Sequence, residues 1–300
     1  MPPARHTPVL AFLVGTLGIA LFSVMDAVMK GLVLAIGTYA TMLWRSFVGV
    51  GLAGALYGPQ RQGWPARPVL RLHIARGVLT TFMGLLFFWG LGRVPLAQAI
   101  ALAFIAPLIA LYLASILLHE KVGPRTIGAS LIAFSGVIVI FIGQAQADLG
   151  REALLGSLAI LLSAVCYAVN IIMMRRQSLA AGPIEIAFFQ NLTVCAVLLA
   201  GVPLIGAAVP AWEHWPWILL AAVLSTASLL LLSWAYARAE ASYLATTEYT
   251  SFLWAALLGW LVFGEEVSPF TVAGAVLIVA GCILAARRPR EASPALEASV

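Results

Sequence analysis

The chain repeats itself once, at a constant offset of 145 positions and without a gap. A fixed internal period constrains the architecture before any local motif does. The sequence therefore predicts two copies of one structural unit, at residues 1–147 and 148–286, followed by a polar tail at 287–300 that we expect to be disordered. Equivalent pairs include Trp89 and Trp234, Arg93 and Arg238, Glu120 and Glu265, Pro124 and Pro269, and Gly136 and Gly281.

The apolar residues predict a membrane protein. They make up 62% of the chain, and charged residues only 10%, whereas about a quarter of the residues in soluble domains are charged. The apolar runs are roughly 20 residues long, which is the length of a helix that crosses a bilayer. Because lipid cannot satisfy backbone amides, we expect an all-α integral membrane fold with ten transmembrane helices. The predicted spans are 9–33, 38–57, 69–91, 95–118, 123–143, 153–174, 183–206, 214–236, 241–263 and 268–286.

The basic residues predict the orientation, because Lys and Arg concentrate in cytoplasmic loops. With a cytoplasmic N-terminus, twelve of the 17 Lys and Arg residues lie on the cytoplasmic side. Arg45 and Arg76 lie within spans, and only Lys30, Arg93 and Arg151 lie on the opposite side. Both termini are therefore predicted to be cytoplasmic, in the inner membrane of the cell. Five spans per copy is an odd number, so the two copies must have opposite orientations. Inverted repeats are typical of transporters that bind substrate at the repeat interface, near the midplane of the bilayer.

This organisation resembles the drug/metabolite transporter superfamily in its EamA-type branch. The resemblance rests on the two inverted five-span repeats, on the recurring Glu–Pro pattern before spans 5 and 10, and on the Trp44–Arg45 pair in span 2. Within the branch, the chain is most similar to the YddG-type exporters of aromatic and other amino acids. The resemblance implies alternating access around a central cavity lined by spans 1–4 and 6–9, with spans 5 and 10 as scaffold. Gln190 replaces Arg45 in the second copy, so the two halves of the site are chemically unlike.

Ionisable groups within spans mark a transport pathway by default. Arg45 is the predicted partner of a substrate carboxylate, because its planar guanidinium matches that group. The alternative is a structural role beside Asp26 or a backbone carbonyl. Lys30 lies one helical turn after Asp26 and could pair with it. Asp26 and Glu248 are candidate proton carriers, because burial favours the neutral carboxyl form. The sequence shows no evident His–carboxylate relay, so facilitated exchange is equally open.

Three further polar groups lie near predicted membrane surfaces. Arg76, near the cytoplasmic end of span 3, is expected to extend toward the lipid head groups. His73 could line an inner vestibule, and Glu185 is expected to be solvated. Pro107 is expected to kink span 4.

The remaining candidate substrate-binding residues are polar or aromatic side chains of the cavity spans. Span 9 places several of them on one helical face, which could line a cavity or pack against another helix. Trp89 and Trp234 are candidate gate residues or interfacial belt residues. The candidate substrate-binding residues other than Arg45 are Trp44, Gln98, Tyr167, Asn170, Phe189, Gln190, Tyr243, Thr247, Thr250 and Trp254.

The predicted function is export of small metabolites, with aromatic and other amino acids as the expected substrates. The alternatives are transport of riboflavin, a nucleoside or a drug-like cation, and, more distantly, a membrane-embedded enzyme that acts on lipid. The sequence predicts no cofactor, no metal site, no nucleic-acid partner and no enzymatic activity. Glycines in spans 5 and 10 would let two helices pack closely, either within the chain or in a dimer, so monomer and homodimer are both open.

Overall fold

The computed structural model describes residues 8–60, 63–106, 108–110, 112–113, 124–147, 150–178, 180–236 and 247–286. Within these ranges the chain is all-α, without strands. Short 3-10 turns occupy Gly58–Gln60 and Trp212–His214. The α-helices of the described part are α1 (Pro8–Ile36), α2 (Thr38–Tyr57), α3 (Arg67–Leu91), α4 (Leu96–Ala103), α5 (Pro124–Gln146), α6 (Gly150–Ser178), α7 (Pro183–Ile205), α8 (Trp215–Tyr236), α9 (Thr250–Phe263) and α10 (Pro269–Ala286).

Each predicted span overlaps one of these helices, which confirms an all-α membrane fold. Helices α1, α3, α5, α6, α7 and α8 are long and apolar enough to cross a membrane, judged by length and composition. Helices α4, α9 and α10 contain shorter apolar stretches. The polar tail lies outside the described residues.

Proline and glycine set many of the helix boundaries. A proline occupies the first turn of α3 and of α7, where its missing N–H leaves no intrahelical bond unmade. Gly37 alone separates α1 from α2, with a φ of 80° that glycine adopts without a steric penalty.

Helix α4 is interrupted where the sequence predicts a kink. Regular α-helix ends at Ala103, and the N–H of Phe104 is shared between the carbonyls of Ile100 and Ala101, at 3.2 and 3.3 Å. A proline at position 107 has no N–H to offer the carbonyl of residue 103. Pro107 itself lies outside the described residues, but the break lies in the turn that precedes it.

The helices pack in pairs that the repeat relates to one another. The closest pairs are α1 with α8, α3 with α6, α2 with α7, and α5 with α10. The repeat relates α1 to α6, α2 to α7, α3 to α8 and α5 to α10. When each helix is replaced by its equivalent, the α1–α8 pair becomes the α6–α3 pair, and the α2–α7 and α5–α10 pairs stay the same. Packing of this reciprocal kind is what a two-fold relation between the halves requires.

The same reciprocity extends to single hydrogen bonds. Ser228 Oγ on α8 donates to the carbonyl of Gly18 on α1 at 2.7 Å. Ser163 Oγ on α6 donates to the carbonyl of Met83 on α3 at 2.9 Å. At the 145-residue offset, positions 18 and 163 are equivalent, and so are 83 and 228. One helix contact therefore occurs twice, with the serine on opposite partners.

Helices α5 and α10 meet along a glycine seam inside the chain. A Cβ atom at Gly136 would lie 2.6 Å from the carbonyl oxygen of Gly274, and one at Gly281 would lie 2.6 Å from that of Ala129. Only glycine permits so close an approach of two backbones. These small residues are therefore used within the chain, as the scaffold prediction requires.

Candidate functional site

Arg45 on α2 has an unused hydrogen-bonding edge inside the bundle. Its NH1 donates a long bond of 3.4 Å to Ser225 Oγ on α8. Its Nε is buried and, among the described residues, has no hydrogen-bond partner. Asp26 on α1 is 7% exposed and lies within electrostatic range of the guanidinium. In the described part of the chain no direct ion pair joins them. Helices α1 and α2 thus hold opposite charges without a direct ion pair between them, beside Ser225 on α8.

The pairing of Lys30 with Asp26 that the sequence allows is not formed. The Lys30 ammonium forms an ion pair with Glu265 and donates to the carbonyl of Val94 at 2.6 Å. Glu265 also accepts the N–H of Leu96 at 2.7 Å. Because Leu96 opens α4, the carboxylate satisfies one of the donors that a helix N-terminus leaves free. Glu265, the acid of the repeated Glu–Pro pattern, therefore ties α1 to α4 at the end predicted to face away from the cytoplasm.

A buried polar network lies at the opposite, predicted cytoplasmic end. Arg76 Nε donates to Asn170 Oδ1 at 2.8 Å, and its NH1 donates to Gln177 Oε1 at 2.5 Å. The other end of the Gln177 amide lies 2.5 Å from His73 Nδ1, and His73 Nε2 lies 3.1 Å from Glu185 Oε1. We call these five residues the inner network. It connects α3 of the first copy with α6 and α7 of the second.

The inner network corrects two predictions. Arg76 does not extend to the head groups: it is 5% exposed and bonded to two side chains of α6. Glu185 is not simply solvated, because its side chain is 25% exposed and contacts His73. A His–carboxylate contact therefore exists between residues 112 positions apart in sequence.

An aromatic cluster borders this network. The His73 ring stacks on Phe189 with a centroid distance of 4.7 Å, and Tyr57 and Trp64 contact Phe189 edge-on. Tyr57, Trp64 and Phe188 line an adjoining cavity of about 490 Å³. Phe189, predicted to line the substrate pocket, therefore belongs to the same end of the bundle as the inner network.

Two more predicted residues approach Arg76. Tyr167 on α6 lies within electrostatic range of both Arg76 and Glu248. Asn170 is one of the acceptors of Arg76. The structure thus places Tyr167 and Asn170 beside the Arg76 guanidinium, and Glu248 near Tyr167.

The polar face of span 9 is only partly described. Thr247 is fully buried, and its carbonyl accepts a bond of 2.6 Å from Thr250 Oγ1. Trp254 Nε1 is buried without a hydrogen-bond partner in the described ranges. Tyr243 lies outside those ranges.

Other predicted residues have partners elsewhere. Gln98 is 4% exposed and donates to Ser157 Oγ at 3.1 Å, which links α4 to α6. Trp44 Nε1 donates to the carbonyl of Ala208 at 3.0 Å, in the connection between α7 and α8. The Arg93 guanidinium covers the ring of Trp89 at 3.6 Å. Gln190 and Trp234 are half-buried.

Sequence reasoning left out Ser225 and Gln177 and gave little weight to His73. A periodic signal was present for two of them. His73 and Arg76 stand three positions apart, and Asn170 and Gln177 stand seven apart, so each pair occupies one helical face. What the sequence lacks is any indication that these two faces meet.

The pattern that defines the EamA-like transporter family matches the chain twice, at residues 9–142 and 154–287. The chain belongs to the EamA-like transporter family. Its family is one of transporters and not of enzymes, as the sequence predicts.

Several relatives cover most of the chain. The pseudopaline exporter CntI of Pseudomonas aeruginosa is 28% identical over 89% of this chain and 92% of its own length. A riboflavin transporter of Rhizobium johnstonii is 30% identical over 74% of this chain and 73% of its own. A probable terminal-alkyne amino-acid exporter of Streptantibioticus cattleyicolor is 28% identical over 82% and 83%. A solved crystal structure with 21% identity superposes with a TM-score of 0.59, covering 93% of this chain and 98% of the other, and so shares the fold.

Proposed function

We propose that this chain is a secondary transporter that exports amino-acid-like metabolites by alternating access. The observation that carries the proposal is the buried Arg45 guanidinium, with an unused Nε, beside the buried Asp26 carboxylate. A zwitterion offers a carboxylate to the first group and an ammonium to the second. When the substrate is absent, Asp26 is also the candidate proton carrier.

The energetics of burial favour a ligand at this place. A buried charge without close partners is costly, and charged residues inside a membrane are retained where they serve a function. A guanidinium can donate two parallel bonds to one carboxylate, and charge-assisted bonds of this kind are the strong ones. A bound amino acid would supply the acceptors that Arg45 lacks among the described residues.

The relatives support the same class of substrate. One is named as an exporter of pseudopaline and another as a probable exporter of a terminal-alkyne amino acid. The name of a third, a riboflavin transporter, supports an alternative substrate. Orientation with both termini in the cytoplasm, in the inner membrane, completes the proposal and rests on the distribution of Lys and Arg.

The reciprocal contacts support a mechanism in which equivalent pairs of helices, one helix from each copy, move as units. The α1–α8 and α6–α3 pairs join the two copies in equivalent ways, and the family pattern matches once in each copy. Inverted repeats let one structure present its site to either side of the membrane in turn. We infer that the two copies, residues 1–147 and 148–286, each contribute one helix to these equivalent pairs.

Counterflow in proteoliposomes tests the proposal. Vesicles that contain purified protein and concentrated unlabelled amino acids are offered labelled amino acids outside, and transient accumulation of label indicates a carrier. Arg45→Gln removes the charge and should lower the initial rate by roughly 10- to 100-fold, the equivalent of one charge-assisted hydrogen bond. Arg93→Gln is the matched control, because Arg93 pairs with a largely exposed Glu152 and should keep the wild-type rate.

Three outcomes contradict the proposal in different ways. Equal rates for both variants would remove Arg45 from the substrate site. Accumulation of riboflavin with no accumulation of any amino acid would support the alternative substrate. Transport of a cationic drug that survives or increases in Arg45→Gln would assign the site to cations held by Asp26.

A further inference from the structure

The repeat gives the Arg45 contact a counterpart in the other half of the bundle. Arg45 on α2 donates to Ser225 Oγ on α8 at 3.4 Å. At the 145-residue offset, the equivalent positions are Gln190 on α7 and Thr80 on α3. The fold therefore brings a second pair of polar residues into an equivalent setting, with an amide in place of the guanidinium and one hydroxyl in place of another.

The hydroxyl of this second pair has no partner. Thr80 Oγ1 is buried and, within the described ranges, makes no hydrogen bond. A threonine inside a helix can donate to a carbonyl one turn back, as the neighbouring Thr81 does to the carbonyl of Gly77 at 2.9 Å. A buried hydroxyl without a partner costs free energy. The counterpart of the Arg45–Ser225 contact is thus not formed, and the Thr80 hydroxyl is available to a ligand.

The packing of α3 on α7 places Thr80 and Gln190 around one helix contact. A Cβ atom at Gly77 on α3 would overlap the side chain of Thr193 on α7. Thr80 lies three positions after Gly77, and Gln190 lies three positions before Thr193, so the members of each pair share a helical face. Glutamine is shorter than arginine and reaches less far across such a contact. The gap that it leaves can hold a polar group of a ligand.

The second pair is uncharged, unlike the first. The repeat equivalent of Asp26 is Ile171, so this half lacks the carboxylate as well as the guanidinium. Arg76, one turn before Thr80, is already bonded to two side chains of α6. An amide and a hydroxyl can each donate and accept. The group that fits between Thr80 and Gln190 is therefore neutral and hydrogen-bonding, such as a hydroxyl or a carboxamide.

The two polar pairs adjoin through α2 and α7, which pack against each other. A Cβ atom at Gly49, one turn after Arg45, would overlap the side chain of Asn191, which follows Gln190. Arg45 and Gln190 thus lie on neighbouring turns of two helices in close contact. A ligand whose carboxylate is held by Arg45 has its other end near the uncharged pair.

We infer that Thr80 and Gln190 form the second half of the substrate site and select amino acids whose side chains carry a neutral hydrogen-bonding group. This inference rests on the proposed function, in which Arg45 holds the substrate carboxylate. It adds Thr80 to the site and gives Gln190 a role in specificity. The substrate class is that of amino acids with a hydroxyl or carboxamide side chain.

Counterflow with matched pairs of labelled amino acids tests the inference. Tyrosine and phenylalanine differ by one hydroxyl, threonine and valine have nearly the same shape, and glutamine and methionine have similar lengths. Initial rates are measured below saturation. The wild type should favour the polar member of at least one pair by about tenfold, which corresponds to one hydrogen bond.

The variants remove one hydrogen-bonding group at a time. Thr80→Val and Gln190→Leu should each bring the preference close to one, mainly by slowing the polar member, whereas Thr80→Ser keeps a hydroxyl and should keep the preference. Thr81→Val is the matched control, because the Thr81 hydroxyl already donates within its own helix. Its preference should equal that of the wild type.

The outcomes separate this inference from the proposed function. If the wild type accumulates amino acids but discriminates within no pair, the inference fails and the proposed function stands. If Thr80→Val slows both members of a pair equally, the hydroxyl does not select the side chain, and the inference fails. If the wild type accumulates no amino acid, both fail.

A second measurement needs no substrate. Because the Thr80 hydroxyl has no partner to lose among the described residues, Thr80→Val should not lower the free energy of unfolding in mixed micelles. A marked loss of stability, or failure of the variant to fold, would show that the hydroxyl already has a structural role and would overturn its assignment to the substrate.

Discussion

Replacing Glu265 by Gln should strongly destabilise the end of the bundle where α1 meets α4. Glu265 is the ion-pair partner of Lys30, whose side chain is 5% exposed, against 18% for Glu265. Glutamine preserves the shape of the side chain and can still accept the Leu96 N–H. The substitution therefore removes the charge that faces the Lys30 ammonium and little else.

The size of the effect follows from the burial of the ammonium. Breaking a buried ion pair by removing one partner costs about 3–5 kcal/mol. Lys30 keeps its bond to the carbonyl of Val94, and Glu265 is partly exposed, so we expect the lower end, about 3 kcal/mol. Removing both charges with Lys30→Met should restore most of this, because no unpaired charge remains buried. The double variant should therefore be more stable than Glu265→Gln alone.

Reversible unfolding in mixed micelles, followed by tryptophan fluorescence, measures these free energies. Glu266→Gln is the matched control, because this neighbouring acid is exposed and should change the unfolding free energy by less than about 0.5 kcal/mol. Comparable losses in Glu265→Gln and Glu266→Gln would refute the ion pair as a stabilising contact. A double variant less stable than Glu265→Gln would refute the argument from a buried, unpaired ammonium.

Two further predictions use the same unfolding measurement. Gly136→Ala places a methyl group 2.6 Å from the carbonyl oxygen of Gly274 and should lower the free energy of unfolding by about 1–3 kcal/mol by overpacking. Gly128→Ala meets open space and should be neutral or slightly stabilising. Equal effects of the two substitutions would show that the glycine seam does not contribute to stability. Gln98→Leu loses the interhelical hydrogen bond to Ser157 and should lower the free energy of unfolding by about 1 kcal/mol. Gln146→Leu, at an exposed position, should leave it nearly unchanged. An unchanged unfolding free energy in Gln98→Leu would show that this hydrogen bond does not stabilise the fold.

The helices could be predicted closely because their signals are local. The predicted second span, 38–57, has the bounds of α2, and the predicted start of span 7 at Pro183 is the start of α7. Length of an apolar run, proline in a first turn and glycine at a turn all act within a few residues of the boundary that they set. The repeat was visible for a similar reason, since it needs no knowledge of contacts.

The partners of buried polar groups could not be predicted in the same way. Lys30 and Glu265 are 235 positions apart, and Arg76 and Gln177 are 101 apart. The sequence gives the depth of Arg76 in its span, and depth alone favours extension toward the head groups. Its actual role depends on which face of α6 packs against α3. Helical periodicity shows which residues share a face, but it does not show which helix that face contacts. The same limit hid the His73–Glu185 contact, although it did not prevent Arg45 from being selected by its chemistry.

The glycine seam between α5 and α10 has the form of an isologous interface, in which a surface recognises its own copy. Gly136 approaches the backbone at Gly274, and the equivalent Gly281 approaches the backbone at Ala129. A single five-helix unit with such a stripe could in principle pair through it with a second copy of itself. When both copies belong to one chain, the two sides of the seam can differ from each other, as Ala129 and its repeat equivalent Gly274 do.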